Sequence, residues 1–279
     1  MDLIATLQCE DQPGIVHAMT SAVLACGGNI IENQQFTDEP TNTFVMRTRF
    51  ETTQGIDVAH KSLNEGLGKF SPTLHIRPTQ SKPRALVLVT KESHCLRDLL
   101  YLLELGELPI EIPVVVSNHE ELRALVESHG FTFIHLPVTT ATKAAQEKEI
   151  LALIEEHSID FVVLARYMQV LSNDFCAALP GRIINIHHSF LPGFKGAKPY
   201  HQAHAHGVKI IGATAHFVTA HLDEGPIIEQ DVAHVSHTST PDDLIALGRG
   251  IERRVLAKAV KLYAQDRIFI VGERTVVFS

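Results

Sequence analysis

Hydrophobic positions in the first 77 residues change repeatedly between a period of two and a helical period. Residues 2–9 alternate and contain β-forming residues, and the turn Asp11-Gln12-Pro13-Gly14 ends this run. Apolar residues at helical spacing follow from Ile15 to Leu24 and stop at Gly27-Gly28, a helix C-terminal signal. The resulting βαββαβ order is that of a ferredoxin-like unit. The predicted strands are residues 2–9, 29–36, 43–50 and 74–76, and the predicted helices are 15–24 and 56–68.

The rest of the chain follows a different pattern, in which short apolar runs alternate with helical stretches. Residues 78–83 are polar and bounded by prolines, so we interpret them as a linker. The alternation beyond them predicts an α/β, Rossmann-like domain over residues 84–279, with a mostly parallel sheet, a long helix and a final hairpin from Ile268 to Phe278. The predicted strands are 85–89, 113–116, 131–135, 161–164, 183–186, 210–218 and 227–232, and the predicted helices lie near 95–105, 119–128, 143–157 and 242–264.

Composition narrows the class of protein. The 279 residues include 24 basic and 32 acidic side chains, and the net charge of −8 disfavours a nucleic-acid or anionic-membrane binder. No apolar run approaches the roughly 20 residues of a membrane span, and the first residues lack signal-peptide features. The four cysteines form no CxxC pair and are expected to be reduced thiols. We therefore expect a cytoplasmic protein that binds neither nucleic acid nor a membrane.

The densest polar cluster follows a predicted buried strand. Asn185 and His187 lie two residues apart near the carboxyl end of that strand, so both project to one side of the chain. Ligand sites in open α/β sheets lie at this edge, and an amide donor beside an imidazole suits a polarised carbonyl. The alternative is a strand end with solvated or capped histidines. Asp223 precedes a Gly-Pro turn and alone reads as a turn residue. Together the three can supply a donor, a base and an oxyanion contact to one carbonyl.

Two other kinds of site are disfavoured. Nine of the 17 histidines fall between His187 and His237, but the chain has no HExxH motif. Because His201, His204 and His206 do not share one helix face, we expect a surface helix and no metal. The turn Thr90-Lys91-Glu92-Ser93-His94 is not glycine-rich, so we do not expect a bound dinucleotide or a P-loop nucleotide.

A longer pattern around these residues resembles a known family. The run from Asn185 to Pro192, followed by Lys195-Gly196, Gly212–Val218 and His221–Ile228, resembles the folate-dependent formyltransferase fold over roughly residues 84–279. The segments Asp11–Val16 and Gly28-Asn29-Ile30 resemble an ACT domain, a small ligand-sensing βαββαβ module, over residues 1–77. With both parts at this length, the chain is identified as a member of the formyltetrahydrofolate deformylase family.

The resemblance implies hydrolysis of 10-formyltetrahydrofolate to formate and tetrahydrofolate, which supplies formate for purine synthesis and balances the one-carbon folate pool. It makes Asn185, His187 and Asp223 the catalytic residues. Asn185 and His187 would donate to the oxyanion, and Asp223 would orient and deprotonate water. No cofactor is expected, because the folate is the substrate. The alternatives are a formyltransferase with an amine acceptor and a folate-sensing regulatory protein.

The same resemblance assigns folate binding to one segment, Arg166, Tyr167, Met168, Val170 and Leu171, whose backbone would grip the pterin while apolar side chains enclose it. The alternative is that these apolar residues are core. In the related glycinamide ribonucleotide transferases a Gly-Ser-Asn loop holds the acceptor's phosphate. The turn containing Lys91 and His94 stands there in this chain, which favours water as acceptor, although both side chains are cationic enough to leave an amine acceptor open.

The ACT resemblance implies amino-acid binding at an oligomer interface, with glycine and methionine as opposing effectors. The candidate effector-binding residues are Asp11, Gly14, Ile15 and Asn29. The Pro13-Gly14 turn lets the N-terminus of a helix direct donors at a carboxylate. The alternative is a module that only oligomerises. In both cases we expect a homo-oligomer formed through the ACT domains.

Overall fold

The computed structural model describes residues 1–191 and 199–279, which form two compact units. One unit comprises Met1–Ser81 together with Asp266–Ser279, and the other comprises Lys82–Gln265. The predicted domain of residues 84–279 is therefore wrong at its C-terminal end, because the last segment belongs to the first unit. Within the described part of the chain, no helix has the length and apolar character that a membrane crossing requires.

The first unit is an antiparallel four-stranded sheet with two helices on one face. The strand order is β2-β3-β1-β4, which confirms the predicted ferredoxin-like arrangement. Leu3, Met19, Phe50 and Leu63 are completely buried between the sheet and the helices. The elements are β1 (Asp2–Glu10), α1 (Ile15–Ala25), β2 (Gly28–Asp38), β3 (Thr43–Thr52), α2 (Ile56–Leu67) and β4 (Thr73–Pro78).

The second unit has a seven-stranded sheet of order β11-β10-β9-β8-β5-β6-β7. The five strands from β9 to β7 in this order pair in parallel, and β10 pairs antiparallel with both of its neighbours, β9 and β11. The strand order reverses between β5 and β8, and this is where open α/β sheets bind ligands. The elements are β5 (Arg84–Val89), α3 (His94–Glu104), β6 (Glu111–Ser117), α4 (Arg123–Ser128), β7 (Thr132–His135), α5 (Lys143–Glu156), β8 (Phe161–Leu164), α6 (Asn173–Ala178), β9 (Ile183–His187), α7 (Pro199–Ala205), β10 (Ile210–Phe217), β11 (Ile227–His234) and α8 (Pro241–Ala264).

The C-terminal hairpin, β12 (Ile268–Val271) and β13 (Arg274–Val277), joins the first unit for a packing reason. Phe269 and Phe278 form a buried cluster with Val45, which alternates along β3 with residues of the helix-side core. The hairpin therefore covers the face of the sheet opposite the helices, a contact between segments far apart in sequence.

Candidate active site

A cavity of about 290 Å³ lies beside β9 and β10 in the second unit. The segment that follows β8 and the loop between β10 and β11 form its other walls. Asn185, His187 and Asp223, which the sequence places in one site, all line this cavity. Asn185 and His187 project to the same side of β9, because Asn185 contacts His216 and the rings of His216 and His187 lie 3.8 and 3.3 Å from the Asp223 carboxylate.

His216 orients the Asn185 amide. The antiparallel register of β9 and β10 pairs these two residues, and Asn185 Nδ2 lies 3.2 Å from His216 Nε2. His216 Nδ1 donates to the Phe217 carbonyl at 2.8 Å, and burial lowers the pKa of His216. The neutral ring therefore accepts at Nε2, and this hydrogen-bond network assigns the donor end of the amide. Sequence reasoning missed His216 as a site residue, although it belongs to the motif Gly212–Val218.

His187 and Asp223 form a close side-chain pair in the site. His187 Nδ1 lies 3.3 Å from Asp223 Oδ2, and its Nε2 lies 3.1 Å from Ser189 Oγ. The hydrogen bond from His187 holds the pKa of Asp223 below its usual value, so this carboxylate is ionised at neutral pH. Burial lowers the pKa of the adjacent His188 to about 4, which keeps that ring neutral. The result is an anionic carboxylate next to two uncharged imidazoles, those of His188 and His216.

The loop that carries Asp223 depends on its Gly-Pro turn. A Cβ on Gly225 would lie 1.8 Å from the Phe217 carbonyl oxygen. This close approach accompanies a hydrogen bond from the Phe217 amide to the Pro226 carbonyl at 2.9 Å. Asp223 itself has φ 56°, a left-handed conformation that Asp and Asn tolerate better than most residues. The turn therefore returns the chain to β10 and places the carboxylate in the cavity.

The predicted folate-binding segment lines the same cavity. Met168 and Val170 are 54% and 57% exposed, so they are not core residues and instead present apolar surface. Leu171 packs partly against the core, whereas Tyr167 is buried and donates its hydroxyl to Gln146 Oε1 at 3.2 Å. Only part of this segment is therefore available to a ligand through its side chains.

Arg166 also lines the cavity, but its guanidinium is engaged elsewhere. Nε lies 3.4 Å from Glu252 Oε2 on α8. The Glu252 side chain is 1% exposed and accepts hydrogen bonds from the Tyr200 hydroxyl at 2.6 Å and from His94 Nε2 at 2.8 Å. Burial opposes ionisation of Glu252, but the His94 hydrogen bond and the Arg166 charge keep its pKa below the usual value. Sequence reasoning missed this cluster, because Glu252 sits on the buried face of a helix remote in sequence.

One group of described residues has metal-ligating atoms close together: His94, Cys95 and Glu252. Glu252 is already bound to His94 and Tyr200 and faces the Arg166 cation. Burial raises the pKa of the Cys95 thiol well above its usual value, so this sulfur is protonated. The group therefore has the chemistry of an ion-pair cluster rather than of a cation site.

The four predicted effector-binding residues do not come together within one chain. Asp11 and Gly14 lie near the end of β1 and the start of α1, where Gly14 has φ 99°. Asn29 pairs with Glu51 near the C-terminal end of β3. Asp11 follows Glu10, which pairs with Thr43 at the N-terminal end of the same strand. The Ile15 side chain is buried in the core, so this residue can contact an effector only through its backbone. The predicted motif residues Pro192 and Lys195-Gly196 lie outside the described residues.

Comparison with known proteins gives a consistent assignment. Residues 83–260 match the Formyl transferase domain family. The chain is 47% identical to formyltetrahydrofolate deformylase of Synechocystis sp., covering all of this chain and 99% of that one. It is 45% identical to the Corynebacterium sp. enzyme of the same name, covering 98% and 97% of the two chains.

Comparison with solved structures leads to the same family. The crystal structure of formyltetrahydrofolate deformylase from Burkholderia mallei superposes with a TM-score of 0.96 at 45% identity, covering 100% of this chain and 99% of that one. Glycinamide ribonucleotide transformylase 1 from Symbiobacterium toebii matches 71% of this chain and 95% of its own, with a TM-score of 0.67 and 32% identity. Because the family model spans residues 83–260 and the named relatives match nearly the whole length at 45–47% identity, the chain belongs to the Formyl transferase family and, within it, to the formyltetrahydrofolate deformylases.

Proposed function

We propose that this chain hydrolyses 10-formyltetrahydrofolate to formate and tetrahydrofolate. The observation that carries the proposal is the ionised carboxylate of Asp223 beside His187 and Asn185 in one cavity. Water oxygen forms a bond to the formyl carbon, the bond between that carbon and N10 breaks, and N10 takes up a proton. Formate leaves as an anion, and one proton is released to solvent overall.

The three side chains have complementary roles in this reaction. Asn185 directs a donor whose orientation His216 holds, and His187 supplies a second donor to the developing oxyanion. Asp223 orients the attacking water and accepts its proton, while its carboxylate also accepts a hydrogen bond from His187 and so orients that ring. The exposed apolar side chains of Met168 and Val170 offer a surface for the flat pterin ring.

Water fits as the acceptor better than a phosphorylated amine does. The two side chains of this turn that left an amine acceptor open, Lys91 and His94, already contact carboxylates of the chain. Lys91 Nζ lies 2.9 Å from Glu121 Oε1, and His94 Nε2 lies 2.8 Å from Glu252 Oε2. Because both side chains have carboxylate partners, the turn after β5 has little attraction left for a phosphate.

The test is to incubate the purified protein with 10-formyltetrahydrofolate and no amine, and to measure both formate and tetrahydrofolate. We expect equimolar formate and tetrahydrofolate over many turnovers. Absence of formate release would refute the hydrolase. The variant His187→Ala should lower kcat rather than raise KM, since an oxyanion contact acts in the transition state. A change in KM alone would contradict that role.

We further propose that the first unit binds an amino-acid effector, glycine or methionine, in a homo-oligomer. The left-handed Gly14 at the start of α1 leaves the first turn of that helix accessible to a carboxylate. Asn29 lies at the other end of the sheet, so it can join such a site only from a second copy of the chain. Light scattering with and without each amino acid, together with rates of formate release, tests both parts. A monomer insensitive to both amino acids would refute them.

A further inference from the structure

Hydrogen bonds of one threonine join three loops that follow neighbouring strands of the parallel sheet. Thr90 follows β5, Asn118 follows β6, and Met168 lies in the segment after β8. The Thr90 hydroxyl accepts a hydrogen bond from the Met168 amide at 2.9 Å and donates one to Asn118 Oδ1 at 2.9 Å. Because the carboxyl ends of these adjacent parallel strands lie at the same edge of the sheet, one side chain can reach both neighbouring loops.

The Thr90 hydroxyl is held in a single orientation. Thr90 and Asn118 are only 7% and 8% exposed. The Thr90 carbonyl accepts a hydrogen bond from the buried Ser117 hydroxyl at 3.2 Å, which fixes the backbone that carries this side chain. A hydroxyl that donates to one group and accepts from another cannot rotate without losing a bond. Removing it would deprive both the Met168 amide and the Asn118 side-chain oxygen of this partner.

The predicted folate-binding segment, residues 166–171, lies between β8 and α6 and adopts neither helix nor strand. Its start continues the β5–β8 pairing through the Ala165 amide, and its end is held through the Ser172 amide by a buried carboxylate of α5. Between these two points, the Met168 amide is the one backbone N–H that donates to another described residue. The middle of the segment therefore depends on Thr90 for its position.

This part of the segment carries the apolar wall of the cavity. Met168 and Val170 are about half exposed and line the cavity, and the hydrogen bond to Thr90 is made by the Met168 backbone itself. Thr90 is not among the described residues that line the cavity, so its side chain acts through Met168 rather than by touching a ligand. The proposed catalytic residues lie on β9 and on the loop after β10, outside this chain of hydrogen bonds.

We infer that Thr90 is a positioning residue for the folate, whose hydroxyl fixes the Met168 amide and thereby the surface against which the pterin packs. The inference rests on the proposed function. Substrate and product both carry the pterin, so the hydroxyl should contribute equally to the binding of both. Binding energy of this uniform kind lowers KM and leaves kcat unchanged.

The test compares Thr90→Val, which nearly keeps the shape but removes the hydroxyl, with Thr90→Ser, which keeps the hydroxyl. Formate release gives KM and kcat for 10-formyltetrahydrofolate, and calorimetry gives the Kd for tetrahydrofolate. For Thr90→Val we expect KM and Kd to rise at least about tenfold, equivalent to about 1.4 kcal/mol, with kcat within about threefold of the wild type. Thr90→Ser should restore all three constants to within about threefold of the wild type.

Thr52→Val is the matched control. Thr52 is also buried, accepts a hydrogen bond from the Gln54 amide at 3.1 Å and donates one to the Cys26 carbonyl at 2.7 Å, but it belongs to the first unit. This control should be destabilised to a similar extent in urea unfolding and should keep the wild-type KM. A folded Thr90→Val with unchanged KM and Kd would overturn the inference, and so would equal weakening in the control or in Thr90→Ser.

If Thr90→Val does not fold, Asn118→Leu takes its place, because it removes the acceptor that orients the Thr90 hydroxyl. Its KM and Kd should rise by at least about threefold, and unchanged values would overturn the inference. Failure of the wild type to release formate would instead refute the proposed function. Binding of tetrahydrofolate would then still test Thr90, so the two failures are distinguishable.

Discussion

Replacing Asp223 by Asn tests the proposed role of its carboxylate most directly. Asn tolerates the left-handed backbone of this position and preserves the size of the side chain, so the loop should keep its conformation. The substitution removes a negative charge 3.3 Å from His187 Nδ1. A unit positive charge that develops on the His187 ring in the transition state would interact with this carboxylate by about 5 kcal/mol at an effective dielectric constant of about 20, which sets an upper limit near 10³–10⁴ in rate. General-base catalysis contributes a similar range of about 10²–10⁴.

We therefore expect kcat to fall by about 10²–10⁴ while the dissociation constant for the folate changes little. Formate release gives the rate, and calorimetry gives the affinity. Asp231→Asn is the matched control, since Asp231 is an exposed carboxylate of the same unit that pairs with Arg254 at 2.7 Å. A kcat within threefold of the wild type, or a loss explained by weaker binding alone, would refute the assignment of Asp223 as base.

Three further predictions concern residues around the site and the C-terminal hairpin. His216→Ala removes the acceptor that orients Asn185, so kcat should fall by about tenfold or more at unchanged KM; unaltered steady-state kinetics would contradict this. His188 is neutral when folded, with a pKa of about 4, so the unfolded state binds its proton more readily and stability should be lost as pH falls from 6.5 to 4, by up to about 3 kcal/mol. Urea titrations of His188→Gln should show a smaller loss of stability over this pH range. Identical pH dependence of stability in the variant and the wild type would contradict the role of His188. Phe269→Ala opens the cluster against Val45 and should cost about 3–5 kcal/mol in urea unfolding, whereas a cost below about 1 kcal/mol would argue against the hairpin as part of the first unit.

The sequence by itself determined what depends on neighbours along the chain. Alternation in β9 placed Asn185 and His187 on one side, and the Gly-Pro turn after Asp223 marked a tight return of the chain. Helical and strand periods predicted the βαββαβ order and the parallel sheet, because local backbone preference and burial of one face act over a few residues.

Only the tertiary structure decided which of these residues meet and what each side chain is doing. The pairing of β9 with β10 brings His216 to Asn185. Burial of α8 brings Glu252 to Arg166, so Arg166, which the sequence predicts to bind the folate, forms an ion pair instead. The hairpin at the end of the chain joins the first unit because its apolar residues are buried against Val45. In each case the stabilising energy comes from desolvation and packing between residues far apart in sequence, so a local sequence pattern does not predict which of them come into contact.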